Sequence, residues 1–296
     1  MKDYTVLVGN DINNVVKGKS WKDLLKQLTK HLDISVNFLT DKPFPLAYEE
    51  ICFKAFKEGN HTEKDIKKFV AKHVFDMQSG SLHESIMDLG CEHILTTNYD
   101  LCLESVFVNE PNRMENKGYI KENLYSIFRH HIAGDKKVWH IHGSANTYNS
   151  ITLGYEHYSG YLQNMRNYVV NGTKDSYKKR SFPPLTKSIK NNSVENYSWL
   201  DLFLTKNVHI FGLSLDFNET DLWWLLTYRE KAKYSKKLPI NNTITYYIPS
   251  EYVKNSQSKV DMLKSVGVEI VIKEKYSRDK TAWYSEIIRS IDIENA

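Results

Sequence analysis

Apolar and polar positions alternate along this chain in blocks, and the blocks carry two different periods. The run YTVLVG, Tyr4 to Gly9, is β-branched and ends in glycine, which predicts a buried strand entering a tight turn. SWKDLLKQLTKHL follows, with Trp21, Leu24, Leu25, Leu28 and Leu32 on one helical face and Ser20 and Asp23 as a capping-box start. Residues 44–90 keep a period near 3.6 in LAYEEICFKAFKEG and TEKDIKKFVAKHVFDM, and read as helices. CEHILTTNYD then predicts a strand running into a polar turn, and LCLESVF the start of another helix. YSIFRHHI and KVWHIHG are two further strand candidates. NVHIFGLSL reads as a strand ending at Gly212, followed by the amphipathic NETDLWWLLTYREKAKY. A strand in NTITYYIP, a helix from about Val260 to Val266, a strand in VEIVIKE and a helix in WYSEIIRSIDI complete the alternation.

Strands alternating with helices, and strands too apolar to leave one face in water, predict an α/β fold with a parallel sheet covered on both sides. Residues 1–296 read as a single domain, with a helical insertion at about 44–90. The stretch 155–200 breaks the alternation with NGTKDSYKKRSFPPLTKSIKNNS and reads as a loop-bearing cap insertion. Polar signatures fall where four strands end: Gly9-Asn10-Asp11, Thr97-Asn98-Tyr99-Asp100, His142-Gly143 and Gly212-Leu213-Ser214. In open α/β sheets the ligand crevice lies outside these carboxyl ends, so four such ends define the candidate site.

Composition narrows the classes. The chain has 296 residues, 41% hydrophobic and 26% charged, as in ordinary globular proteins. A formal charge of +4, with Lys178-Lys179-Arg180 as the longest basic cluster in a polar loop, argues against nucleic acid as a partner. The three cysteines, Cys52, Cys91 and Cys102, form no CxxC pair, which excludes a zinc ribbon and fits a reducing cytoplasm. The start MKDYTVLVGNDINNVV is too short in its apolar run and too polar for a signal peptide or a membrane span.

The strand-end residues carry the chemistry. Asn98 offers two donors and an acceptor and Asp100 an acceptor beside it, suited to orienting a ribose or a carboxamide, although TTNYD also reads as a turn that caps a helix. Asp11 stands where a diphosphate loop usually carries glycine, and its charge opposes a phosphate. His140 and His142 are two residues apart, so a continuing strand places both on one face. A metal site needs further ligands, for which His93 and His157 are the candidates, and a pair of satisfied core histidines is the plain alternative. His142, directly before Gly143, is favoured as a general base, and His140, one step deeper, as structural. The aromatic helix at Trp223, Trp224 and Tyr228, with Tyr155, Tyr158 and Tyr161, reads as core or as an apolar contact surface.

The ordered set of a glycine turn, TTNYD, HIHG and FGLSL resembles the sirtuins, and more closely the sirtuin-like domains of bacterial anti-phage defence systems such as Thoeris. The resemblance covers nearly the whole chain. It implies a doubly wound, Rossmann-like sirtuin core and NAD as substrate. By this resemblance Asn98 and Asp100 match the element that contacts the nicotinamide end, and His142 matches the catalytic histidine before glycine. Gly212 and Ser214 match the element at the ribose-phosphate portion. Gly9 matches the first turn, where Asn10 and Asp11 replace the usual small residues, and Thr97 precedes the asparagine. Deacylating sirtuins carry four cysteines in two pairs, which this chain lacks, so no metal is expected. The resemblance therefore implies an NAD glycohydrolase with His142 and Asn98 as catalytic groups, depleting NAD in defence. The alternatives are a sirtuin-type deacylase or ADP-ribosyltransferase, and an idle subunit that binds NAD or ADP-ribose. A homo-oligomer or a complex with a partner defence protein is the expected assembly.

Overall fold

The structure, a computed structural model, describes residues 3–15, 20–37, 42–58, 61–174, 181–274 and 279–295. The Lys178-Lys179-Arg180 cluster lies outside them. The chain opens with β1 (Tyr4–Val8), then α1 (Trp21–His31), α2 (Phe44–Glu58), α3 (Glu63–Phe75) and α4 (Ser81–Met87). Next come β2 (His93–Thr96), β3 (Lys117–Gly118), β4 (Arg129–Ala133) and β5 (Lys136–His140). Helices α5 (Tyr155–Val170), α6 (Leu185–Lys190) and α7 (Trp199–Thr205) lead to β6 (Asn207–Phe211) and α8 (Thr220–Tyr234). The remainder is β7 (Ile244–Pro249), α9 (Ser250–Val253), α10 (Gln257–Ser265), β8 (Glu269–Lys273) and α11 (Lys280–Glu294).

The strands form one sheet in the order β3-β4-β5-β2-β1-β6-β7-β8. The six strands from β5 to β8 in that order pair in parallel, while β4 and β3 close one edge antiparallel. This is the doubly wound α/β sheet expected from the alternation. From β1 the chain first builds outward through β2 and β5, then crosses to β6 on the other side. The reversal puts a switch point at the carboxyl ends of β1, β2 and β6, where a crevice opens.

Period-2 alternation splits the core. Leu7, Leu95, Trp139, Ile210 and Tyr246 face α5, α7, α8 and α10, whereas Val6, Val8, Ile94, Val138 and Tyr247 face α4 and α11. A third cluster joins α1, α2 and α3 to Tyr99, Ala145, Ile151 and Leu153 of the strand-end loops. Helices α2 and α3 of the 44–90 stretch thus pack over the crevice end of the sheet, while α4 covers one of its faces. At α1 the capping box forms as expected: Ser20 Oγ accepts from the Asp23 amide at 3.2 Å, and Asp23 accepts from the Ser20 amide at 3.3 Å.

Three expectations are corrected. LCLESVF makes only a 3-10 turn, Glu104–Val106. Pro111 bars a longer helix, and Glu104 is drawn into the interior by two histidines described below. The described part of 155–200 is largely helical: Tyr158, Tyr161, Met165 and Tyr168 of α5 are buried at spacings of three and four. Their period is hidden in the sequence because tyrosine serves as the apolar residue. Trp223, Tyr158 and Tyr161 are accordingly interior, and of the aromatic residues expected at a contact surface Tyr155 is the one that is exposed.

Candidate functional site

The switch point holds a cavity of about 520 Å³, within the range of small-molecule sites. Asn10, Asp11, Thr97, His142, Gly212 and Ser214 all line it, so six of the nine residues singled out in the sequence meet at one place. Trp21, Phe44, Tyr99 and Tyr158 form one end of the lining, and Tyr246, Tyr252 and Tyr284 contribute the far end beyond β6 and β7.

Close backbone approach builds the first wall. The Gly9 amide donates to the Phe211 carbonyl at 3.0 Å and the Asp11 amide to the Gly212 carbonyl at 2.9 Å. A Cβ on Gly9 would stand 2.4 Å from the Gly212 carbonyl oxygen, so only glycine lets the β1 and β6 turns touch. Gly9 is therefore structural and does not itself line the cavity. Asp11 does, but its charge is not bare: Oδ1 pairs with Lys280 Nζ at 2.7 Å and Oδ2 accepts from Tyr284 Oη at 2.6 Å, both from α11. The expected opposition to a phosphate is thus weakened by a lysine on the same carboxylate. On the other side, Lys259 Nζ donates to the Ser214 carbonyl at 2.6 Å and adds a cation to the lining.

His140 and His142 part company where β5 ends. His140 is the last strand residue, and Gly143 turns the chain with φ +95°. A Cβ on Gly143 would lie 2.2 Å from the Ser150 carbonyl oxygen, so this turn also demands glycine. The shared face expected from strand alternation is lost. His142 Nε2 lies 2.8 Å from Asp221 Oδ2 in the first turn of α8, and its ring meets the edges of Tyr158 and Tyr161. His140 bonds instead to the Asn98 carbonyl and to Glu104. Neither metal candidate joins them. His93 is engaged by the Trp139 indole and His157 by Glu63.

Asn98 and Asp100 are buried and do not line the main cavity, whereas Thr97 and Tyr99 do. Asp100 borders a much smaller hollow that shares Asn10, Trp21 and Tyr99 with it. Its carboxylate accepts from Asn13 Nδ2 at 2.8 Å and from the Cys102 amide at 3.1 Å. Asn13 also donates to Asn10 Oδ1 at 2.9 Å, so it ties the first turn to the TTNYD turn.

Sequence reasoning missed Asp221, Asn13, Glu219 and Lys259. A carboxylate on the apolar face of α8, one residue before Leu222 and four before Leu225, was the available signal for Asp221. Glu219 lines the cavity, and burial together with Asp221 and Asp216 raises its carboxyl well above the usual range. Asn98 Oδ1, Asp221 Oδ1 and Glu219 Oε2 are inaccessible to water and have no hydrogen-bond partner. Of these three residues Glu219 is the one that lines the cavity.

A doubly wound sheet with a cavity at its switch point is the arrangement in which open α/β sheets bind their ligands. Residues 92–216 match the family model of the SIR2-like domain. The matched stretch contains Thr97, Asn98, Asp100, His142, Gly212 and Ser214, while Gly9 to Asp11 and Asp221 lie outside it. No curated protein matches the chain. A SIR2-like domain supports NAD-linked chemistry in general. The three cysteines are buried and form no disulfide, and no zinc ribbon is present among the described residues. No helix among them is long and apolar enough to cross a membrane.

Proposed function

We propose that the protein is an NAD glycohydrolase that releases nicotinamide and ADP-ribose. The observation that carries this reading is the His142–Asp221 pair at the cavity, beside acceptors left without partners. Asp221 accepts a hydrogen bond from Nε2–H, which leaves Nδ1 as the ring nitrogen available to a substrate proton. Nicotinamide in NAD is a cationic leaving group. The C1′–N bond breaks with its electron pair going to the ring, the sugar becomes oxocarbenium-like, and water adds to C1′ while its proton passes to His142. Asp221 then stabilises the imidazolium, and the Asn98 amide and the Glu219 carboxyl are the nearby groups suited to ribose hydroxyls or the carboxamide. The aromatic far end suits the adenine ring, with Lys259 and Lys280 as cations for the diphosphate.

Depletion of NAD in anti-phage defence is the biological role that fits the resemblance in the sequence, with a homo-oligomer or a partner protein holding activity in check. The test is nicotinamide release from NAD by the purified chain, with and without acyl-peptide. Release by wild-type protein without peptide supports the reading. Release that requires acyl-peptide assigns a deacylase, and tight binding without release assigns a binding subunit.

A further inference from the structure

We propose that His140 is a positioning residue: a doubly protonated imidazolium that pins the backbone of Asn98 to Glu104 and so sets the TTNYD turn against the cavity. The hydrogen-bond geometry and the ionisation of Glu104 together give this assignment. His140 Nδ1 faces the Asn98 carbonyl at 2.6 Å, and a carbonyl only accepts, so Nδ1 carries a proton. His140 Nε2 faces Glu104 Oε1 at 2.7 Å. The same oxygen lies 2.6 Å from His131 Nδ1. Glu104 is held ionised, and the Oε1 of a carboxylate only accepts, so Nε2 of His140 and Nδ1 of His131 both donate to it. His131 then stays neutral, with Nε2 left to accept from Asn146 Nδ2 at 3.3 Å.

The charges facing this ring agree. Burial works against a charge on His140, but Glu104 outweighs it and raises the imidazole pKa, with the Asn98 carbonyl adding to it and Arg129 opposing it. Burial alone would raise Glu104, and His140 and His131 overturn that, holding it well below the ordinary carboxylate range. Burial keeps His131 low. All three side chains are at most 3% exposed, so no water replaces a lost partner.

The consequence concerns Asn98. Its amide donates to Thr96 Oγ1 at 3.0 Å and its carbonyl accepts from His140, so its backbone is held from both sides. Its side-chain Oδ1 is the atom left without a partner. The backbone of Asn98 is thus fixed within the TTNYD turn, whose Thr97 and Tyr99 line the cavity. Each ring nitrogen in the cluster has a hydrogen-bond partner, which links Glu104, His131 and His140 into a proton network. The effect on turnover rests on the NAD-cleavage reading, but the protonation state does not.

Two measurements test this. Imidazole 15N spectra of the full-length protein near neutral pH, assigned through backbone correlations, should show both His140 nitrogens protonated and His131 neutral, and Glu104→Gln should return His140 to a neutral ring. In NAD cleavage, His140→Gln should lower kcat about 10- to 100-fold with KM changed by less than about threefold, as expected for a misplaced group. A neutral His140 in the wild-type protein overturns the proposal, as does a folded His140→Gln with wild-type kcat. So does one equivalent of metal per chain that is lost in Glu104→Gln. If His140→Gln does not fold, the wild-type spectrum decides. If the wild-type protein releases no nicotinamide, the proposed function falls and the spectrum still decides His140.

Discussion

His140 and His142 stand one residue apart, and the protein puts them to opposite uses. His140 lies inside the last turn of pleat in β5, beside Val138, whose side chain packs toward α4 and α11. Both of its nitrogens are consumed by protein atoms, the Asn98 carbonyl and Glu104. His142 lies beyond the strand, rotated toward α5 and α8, and gives one nitrogen to Asp221 while it lines the cavity. Each histidine has a buried carboxylate, so the carboxylate does not distinguish catalysis from structure. The distinction is whether the second nitrogen is spent. That depends on one residue, because Gly143 at φ +95° ends the strand's alternation directly after His142.

The largest expected effect breaks the comparison on the His142 side. His142→Ala should lower NAD cleavage about 10²–10⁴-fold, the usual worth of a general base. Asp221→Asn tests the same pair more finely. An asparagine amide in that place donates to Nε2 and moves the ring proton to Nδ1, the nitrogen needed as base, so a loss of similar order is expected with little change of shape. Initial rates of nicotinamide release, with circular dichroism to confirm folding, check both. A fully active His142→Ala beside a folded, inactive His140→Ala would reverse the two roles.

The His140 side should break in the opposite currency. Glu104→Ala leaves two buried imidazoles without their shared acceptor and is expected to cost about 3–5 kcal/mol of stability, as for one partner removed from a buried pair. Urea unfolding measures it. Asp221→Asn, which keeps the shape, should cost far less stability and more activity. If Glu104→Ala unfolds at the wild-type urea concentration, the buried network is not what holds β4, β5 and the TTNYD turn together.

Much of this was legible in the sequence, for physical reasons that differ by element. The parallel sheet could be read because its strands are apolar on both faces, and the site because Gly9, Thr97, His142 and Gly212 mark strand ends whatever the loops do. Helix α5 was hidden because tyrosines carry its buried face, and the helix expected at LCLESVF failed because Glu104 leaves the helical pattern for a tertiary partner 27 residues away in His131. Partners such as Asp221, 79 residues from His142, could not be paired, since nothing local records which strand end faces which helix. Asp11 was read as a lone charge for the same reason, 269 residues before the lysine that pairs with it.

The smallest effect sharpens the contrast between charged and neutral histidines. Burial first of all depresses His93, His130 and His157 to about 4, so the folded protein keeps them neutral while the unfolded chain takes up protons near 6.5. The sign follows: their contribution is complete above about pH 6.5 and is lost as pH falls toward 4, at up to about 1.4 kcal/mol per pH unit for each group. His140, raised in the fold, contributes fully below about 6.5, and Glu104, lowered in the fold, contributes fully above about 4.3, so neither adds to the decline between those limits. His130 isolates the effect, because its Nδ1 is buried without a partner and its ring packs on Trp139 at 4.5 Å. His130→Phe keeps the ring packing and removes the titrating nitrogen. The slope of unfolding free energy between pH 6.5 and 5 should fall by up to about 1.4 kcal/mol per pH unit, the share of one of the six histidines lowered in the fold (His83, His93, His130, His131, His157 and His209), while the profile near pH 7 keeps its shape. Urea midpoints at stepped pH measure the slope, and a slope unchanged in His130→Phe would move the acid sensitivity to other groups.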